Sequence, residues 1–202
     1  MKARRYYPVF LDLRGTPCVV VGGGAVAWRK AKALVGCGAR VTVVSPSGVP
    51  PLAKLKRQRR IRWLRRRIQA RDLREAFLVV AATDDQAVNR MVFREARRRR
   101  RLVNVVDQPA LCSFIVPSVV RRGALTIAIS TGGASPALSR WMRLDMTARY
   151  GPWVSRVLSR MRRWRRQVHR EQADPRRRKR RLAALLRHEL ARAGIRSNEV
   201  VG

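Results

Sequence analysis

The residues best suited to chemistry in this chain begin with a glycine turn. In residues 17–31, PCVVVGGGAVAWRKA, a valine run passes directly into Gly22-x-Gly24-x-x-Ala27. Gly22 permits a sharp turn, Gly24 lets backbone approach a pyrophosphate, and Ala27 lets the following helix pack close to the strand. The N–H groups of Gly24, Ala25 and Val26 then open a helix whose dipole favours phosphate. The spacing therefore predicts dinucleotide binding, although a strand-to-helix turn of this kind also serves packing alone.

Asp107 is the candidate acid–base group. It follows the apolar run ending in NVVD, so it sits in the loop beyond the carboxyl edge of a predicted strand, where open α/β sheets bind ligands. A carboxylate there can accept or relay a proton. As a purely structural residue, Asp107 would begin the turn before Pro109. Thr83 likewise follows a strand, in AFLVVAATDD, and is placed beside the cofactor; Thr83 or Asp84 capping the next helix is the structural alternative, with Asp85 as a first-turn charge. Ser45 ends the second strand, where a dinucleotide site ordinarily carries Asp or Glu for the ribose 2′-hydroxyl. A serine offers one hydrogen bond instead of a bidentate grip, and the nearby arginines keep NADP open beside NAD. Further along, Thr131-Gly132-Gly133-Ala134-Ser135-Pro136 is a turn before a helix, with Ser135 as N-cap and Pro136 at the first helical position.

The elements that must position these residues alternate. Short apolar runs at 18–21, 40–44, 61–64, 77–82 and 102–106 are separated by helical patterns, one reaching about Cys37 and one starting near Asp85. That order predicts an α/β fold, a Rossmann-type parallel sheet covered by helices on both faces. From Ser113 the texture changes to two β-rich runs, SFIVPSVV and ALTIAIS, joined at Arg121-Arg122-Gly123 as a hairpin. Beyond Pro136 the pattern is helical, with a break at Asp174-Pro175 and fraying expected over residues 198–202. The domain division read from this is 1–112, 113–147 and 148–202.

Charge sets this chain apart: 47 Lys and Arg against 12 Asp and Glu give a formal net charge of +35. Such a field attracts polyanions. None of the arginine runs sits in a recognisable nucleic-acid motif, so no specific nucleic-acid partner is expected. Three scattered cysteines in apolar settings read as reduced thiols, and the two histidines provide no metal-ligand spacing. No window approaches the length of a membrane span, and the start MKARRYYPVFLDL lacks a long apolar stretch, so a cytoplasmic protein is expected.

Taken in order, GGGAVAWRKA, AFLVVAATDDQAVN, NVVDQP with SFIVPS, and ISTGGASPALSR resemble the precorrin-2 dehydrogenase/sirohydrochlorin ferrochelatase family, the N-terminal module of sirohaem synthase. The resemblance covers roughly residues 6–150 and is more specific than the glycine turn alone. It implies NAD-dependent oxidation of precorrin-2 to sirohydrochlorin, in some members followed by insertion of ferrous iron as a second substrate. It also implies a small β-rich dimerisation region, a helical C-terminal domain and a homodimer. Asp107 matches the family's functional aspartate, and Thr83 borders the nucleotide. The loop Thr131, Gly132 and Gly133 approaches the tetrapyrrole or the other subunit, and Ser113 and Ser118, flanking the β-rich run, are substrate candidates. An oxidoreductase for another substrate and a nucleotide-sensing or nucleic-acid-binding protein are the competing readings.

Overall fold

The computed structural model describes residues 5–195, so the fraying expected over residues 198–202 lies outside them. The chain divides into two compact units between Val116 and Pro117.

The first unit is a parallel sheet of β1 (Pro17–Val21), β2 (Arg40–Val44), β3 (Ile61–Leu64), β4 (Leu78–Ala81) and β5 (Leu102–Val105), in spatial order β3-β2-β1-β4-β5. Val, Leu and Ala dominate these strands because both faces are covered. On one face Val20, Val43 and Trp63 pack with Ala27, Ala31 and Leu52 of α1 (Ala25–Gly36) and α2 (Pro50–Arg57). On the other, Val19, Val79 and Val103 pack with Val92 and Ala96 of α3 (Gln86–Arg98). Ala27 and Ala31 are fully buried, so a larger side chain at either would overpack the interface by about 1–3 kcal/mol.

The expected strands and the helices α1 and α3 are present. The sequence reading did not single out α2, where Pro50 and Pro51 occupy the first helical positions and no side chain caps the start. Proline is suited to that position because its missing N–H would have no helical partner. The last turns of α3 and its cap hold Arg97, Arg98 and Arg99, cations favoured by the helix dipole.

The second unit begins with an antiparallel pair, β6 (Ser118–Arg122) and β7 (Leu125–Ile129). Arg121 and Arg122 belong to the strand, so the connection is the two residues Gly123-Ala124, with Gly123 at φ 57°. Three helices follow: α4 (Pro136–Arg149), α5 (Trp153–Glu171) and α6 (Pro175–Arg192). Asp174 caps α6, its carboxylate accepting from Arg176 N at 2.8 Å, so this helix starts before the RRLAALL stretch that carries its apolar pattern. Arg160 of α5 is paired with the buried Glu189 of α6 at 2.7 Å, and Val157 and Leu190 are buried in the same pair of helices. Among the described residues no helix is long and apolar enough to cross a membrane.

Candidate active site

Strand order fixes where a ligand can sit. Chain connections leave β1 in opposite directions toward β2 and β4, and the crevice at that reversal opens at the carboxyl ends of the strands. Gly22, Ser45, Thr83 and Asp107 follow β1, β2, β4 and β5 respectively, so all four lie along this one edge.

The glycine turn is built from the sheet outward. Gly22 N donates to Val44 O at 3.0 Å, and Ala82 N donates to Val21 O at 2.8 Å, which brings the ends of three strands together. Gly22 has φ 119°, and a Cβ on it would stand 2.1 Å from Ala82 O. Gly23, which the spacing rule does not use, is equally constrained: its Cβ would meet Ser47 O at 1.9 Å, and its carbonyl accepts from Val49 N at 2.9 Å. At Gly24, by contrast, a Cβ would meet nothing within 4 Å. That glycine faces open space, at the N-cap of α1, with no side chain capping the helix and no acid in its first turn. Orphan N–H groups of Ala25 and Val26 beside a bare backbone fit a pyrophosphate.

Ser45 is buried, and its hydroxyl donates to Ser47 O at 2.6 Å. Its hydrogen is thus used within the loop, leaving only acceptor capacity toward a ribose. Thr83 is half-buried; its Oγ1 accepts from Asp85 N at 2.9 Å. The residue that caps α3 is Asp85, which accepts from Ala87 N and Val88 N, while neither Thr83 nor Asp84 is the cap. Buried Asn89, not anticipated from sequence, donates Nδ2 to Thr83 O at 2.9 Å and fixes the loop from below.

Asp107 is exposed and has φ 59°, a left-handed conformation uncommon outside glycine, asparagine and aspartate. The loop around it is pinned: Asn104 Nδ2 donates to Phe114 O at 3.1 Å, and Cys112 Sγ lies 3.3 Å from Val105 N and 3.2 Å from Gln108 O. Lys30 of α1 is half-buried and near enough to feel Asp107. Burial foremost, then Arg29, pushes its ammonium below the ordinary lysine range, while the carboxylate of Asp107 acts the other way. Sequence reading left Lys30 as a solvated cation; the return of β5 beside β4 is what brings Asp107 near Lys30 of α1.

Ser113 Oγ accepts from Val103 N at 2.8 Å and lies 3.3 Å from Val103 O, so this hydroxyl is held against β5. The remaining candidates belong to the second unit. Ser118 starts β6 opposite Ile129. Thr131 Oγ1 accepts from Ser135 N at 3.1 Å and lies 3.1 Å from Ser139 Oγ, closing the loop onto the start of α4. Gly132 and Gly133 have φ 64° and 91° with open space around them. Among the described residues there is no cluster of three or more metal-ligating side chains.

Comparison with known proteins agrees with this architecture. A family model described as putative NAD(P)-binding matches residues 9–118, and one described as sirohaem biosynthesis protein central matches residues 122–148. The siroheme synthase of Methylobacillus flagellatus is 53% identical over 136 residues, 67% of this chain and 29% of that one. Siroheme synthase 1 of Serratia proteamaculans is 44% identical over 163 residues, 81% of this chain and 34% of that one. The chain thus spans about a third of the length of these curated relatives. A solved structure of SirC, precorrin-2 dehydrogenase, is similar with a TM-score of 0.78 and 29% identity, over 94% of this chain and 99% of that one. With more than half of its length matched by the first model, the chain belongs to the putative NAD(P)-binding family of sirohaem-biosynthesis proteins, the family of precorrin-2 dehydrogenase and the module that these siroheme synthases share with it.

Proposed function

We propose that this chain oxidises precorrin-2 to sirohydrochlorin with NAD. The observation that carries the reading is the convergence of Asp107 and the glycine turn on one edge of the sheet, in a chain of this family. When bound, the nicotinamide supplies the hydride acceptor. Loss of two hydrogens from the macrocycle releases one hydride and one proton, and Asp107 takes or relays the proton. Gly24, Ala25 and Val26 hold the pyrophosphate through backbone N–H groups, and Thr83 lines the cofactor side of the crevice. Lys30 adds a cation beside Asp107 that draws a substrate carboxylate toward the reacting edge. Ser113, Ser118, Thr131, Gly132 and Gly133 are the substrate-facing candidates, with backbone N–H groups of the open glycine loop suited to carboxylates.

A cytoplasmic homodimer belongs to the same reading. Two strands alone make a marginal sheet, and α4 exposes Leu138, Trp141 and Leu144, Trp141 to 62%. A second copy covering that face accounts for both. Ferrous iron enters as a substrate only if the chain also performs insertion, with Asp107 receiving pyrrole protons.

Anaerobic incubation with precorrin-2, with and without NAD, tests the oxidation: sirohydrochlorin absorbance grows only in the presence of nucleotide. A parallel arm with ferrous iron and preformed sirohydrochlorin decides the second step.

A further inference from the structure

We infer that the outer face of α5 binds the phosphate backbone of double-stranded DNA without reading its sequence. The residues belong to the second unit, and the inference does not depend on the reaction proposed above.

The pairing of α5 with α6 sorts their charges into spent and unspent. The two helices and the turn between them hold 15 Arg and Lys against three acids, Glu171, Asp174 and Glu189. Each acid already has an arginine: Glu171 pairs with Arg181 at 2.9 Å, Asp174 with Arg177 at 3.6 Å and Glu189 with Arg160 at 2.7 Å. Arg162, Arg165, Arg166 and Arg170 remain exposed, and among the described residues no ion pair joins any of them to an acid.

Their spacing makes them one surface. Residues three, four and eight apart share a helix face, and these four with His169 line one shallow groove. Buried Val157 lies about two and a half turns from Arg166, so the arginine face is opposite the packed one. From Arg162 to Arg170 the helix advances about 12 Å, and duplex DNA carries a charge about every 1.7 Å, so four unspent cations meet about seven phosphates. All but Lys179 of the 15 cations are arginine, whose planar fork bonds two phosphate oxygens at once.

Other polyanions match this face less well. Helices that lie on anionic membranes also bury an apolar side, and the described residues of α5 and α6 expose no large apolar side chain. Single strands stack their bases on exposed aromatic rings, and Trp153 and Trp164 are half-buried. The major groove of B-form DNA, about 12 Å wide, admits a helix, whereas that of duplex RNA is too narrow.

Fluorescence anisotropy of the full chain with a random duplex of about 30 base pairs, from about 0.05 to 0.4 M salt, tests this through two variants that lose the same charge. One combines Arg162→Gln, Arg165→Gln, Arg166→Gln and Arg170→Gln. The other combines Arg57→Gln, Arg60→Gln, Arg62→Gln and Arg67→Gln, exposed arginines of the first unit. At about 0.1 M salt the first should bind about 10²-fold or more weakly than wild type, with the slope of log K against log salt reduced by about 3–4. Arg166→Gln alone should reduce that slope by about 0.9. The second combination should stay within about threefold of wild type, because charges beyond the screening length of about 10 Å contribute little. Circular dichroism verifies the fold of each variant. A wild type that does not bind, or equal losses in the two combinations, overturns the inference, the latter by reducing the effect to net charge. A preference above about tenfold for one duplex sequence would require base contacts and also overturn it. So would tighter binding to phosphatidylcholine–phosphatidylserine vesicles than to DNA, lost in the first combination, which would assign the face to a membrane.

Discussion

Gly22 and Ala82 meet so closely that a β-carbon on the first would stand 2.1 Å from the carbonyl oxygen of the second. This contact, between the ends of the adjacent strands β1 and β4, explains why the turn needs glycine for reasons independent of any ligand. Gly24, two residues on, has open space where its side chain would be and an ordinary φ of −76°. The two fingerprint glycines therefore stand in different settings, one packed against backbone and one facing open space.

That difference is measurable. Gly22→Ala combines an unfavourable φ with a backbone collision and should cost about 3 kcal/mol or more, seen as a lower urea midpoint. Gly24→Ala should leave stability within about 1 kcal/mol of wild type and weaken NAD binding about tenfold or more. Equal effects of both on stability would refute the contrast.

Glu95 provides a pH prediction. Bonded by Arg98 and Arg99, its carboxyl is held down from 4.5 to about 2. A depressed carboxylate stabilises the folded state fully above its unfolded value and loses that contribution as pH falls through the folded one. Glu95→Gln should thus be less stable than wild type at neutral pH, and the gap should close between pH 4.5 and about 2. Urea midpoints across that range check it; a gap independent of pH would assign the loss to packing.

With a net charge of +35, the folded chain repels itself. Raising ionic strength from about 0.01 to 0.3 M shortens the screening length several-fold and should raise Tm. A melting temperature indifferent to salt would mean that the arginines are already neutralised by bound anions.

Trp141→Asp places a charge on the exposed face of α4 without touching the buried residues of the unit. Sedimentation should show a dimer in the wild type and a monomer in the variant, both folded. An unchanged dimer would place the interface elsewhere.

The legible parts of this chain were those set by local pattern. Valine runs at 19–21 and 43–44 identify strands because a strand covered on both faces must be apolar throughout. Asp107 and Thr83 were readable as strand-end residues for the same reason. Gly23, Asn89 and Lys30 were not, since each depends on what the fold brings beside it: the Ser47 carbonyl, the Thr83 carbonyl and the Asp107 carboxylate. Helix α2 escaped because its eight residues, PPLAKLKR, run into an arginine stretch that hides their short apolar face. The cap of α3 lies one residue beyond Asp84 and two beyond Thr83; both are as competent chemically as Asp85, and only backbone geometry selects among them.

Asp107→Asn compared with wild type in the anaerobic conversion of precorrin-2 is the most direct measurement. Asparagine tolerates the left-handed backbone at this position, so the variant should fold and bind NAD as wild type does. Wild type should form sirohydrochlorin only with nucleotide, and Asp107→Asn should do so about 10²–10⁴-fold more slowly. A folded, NAD-binding wild type that leaves precorrin-2 unchanged, or a variant as fast as wild type, would contradict the assignment of the reaction or of its proton acceptor.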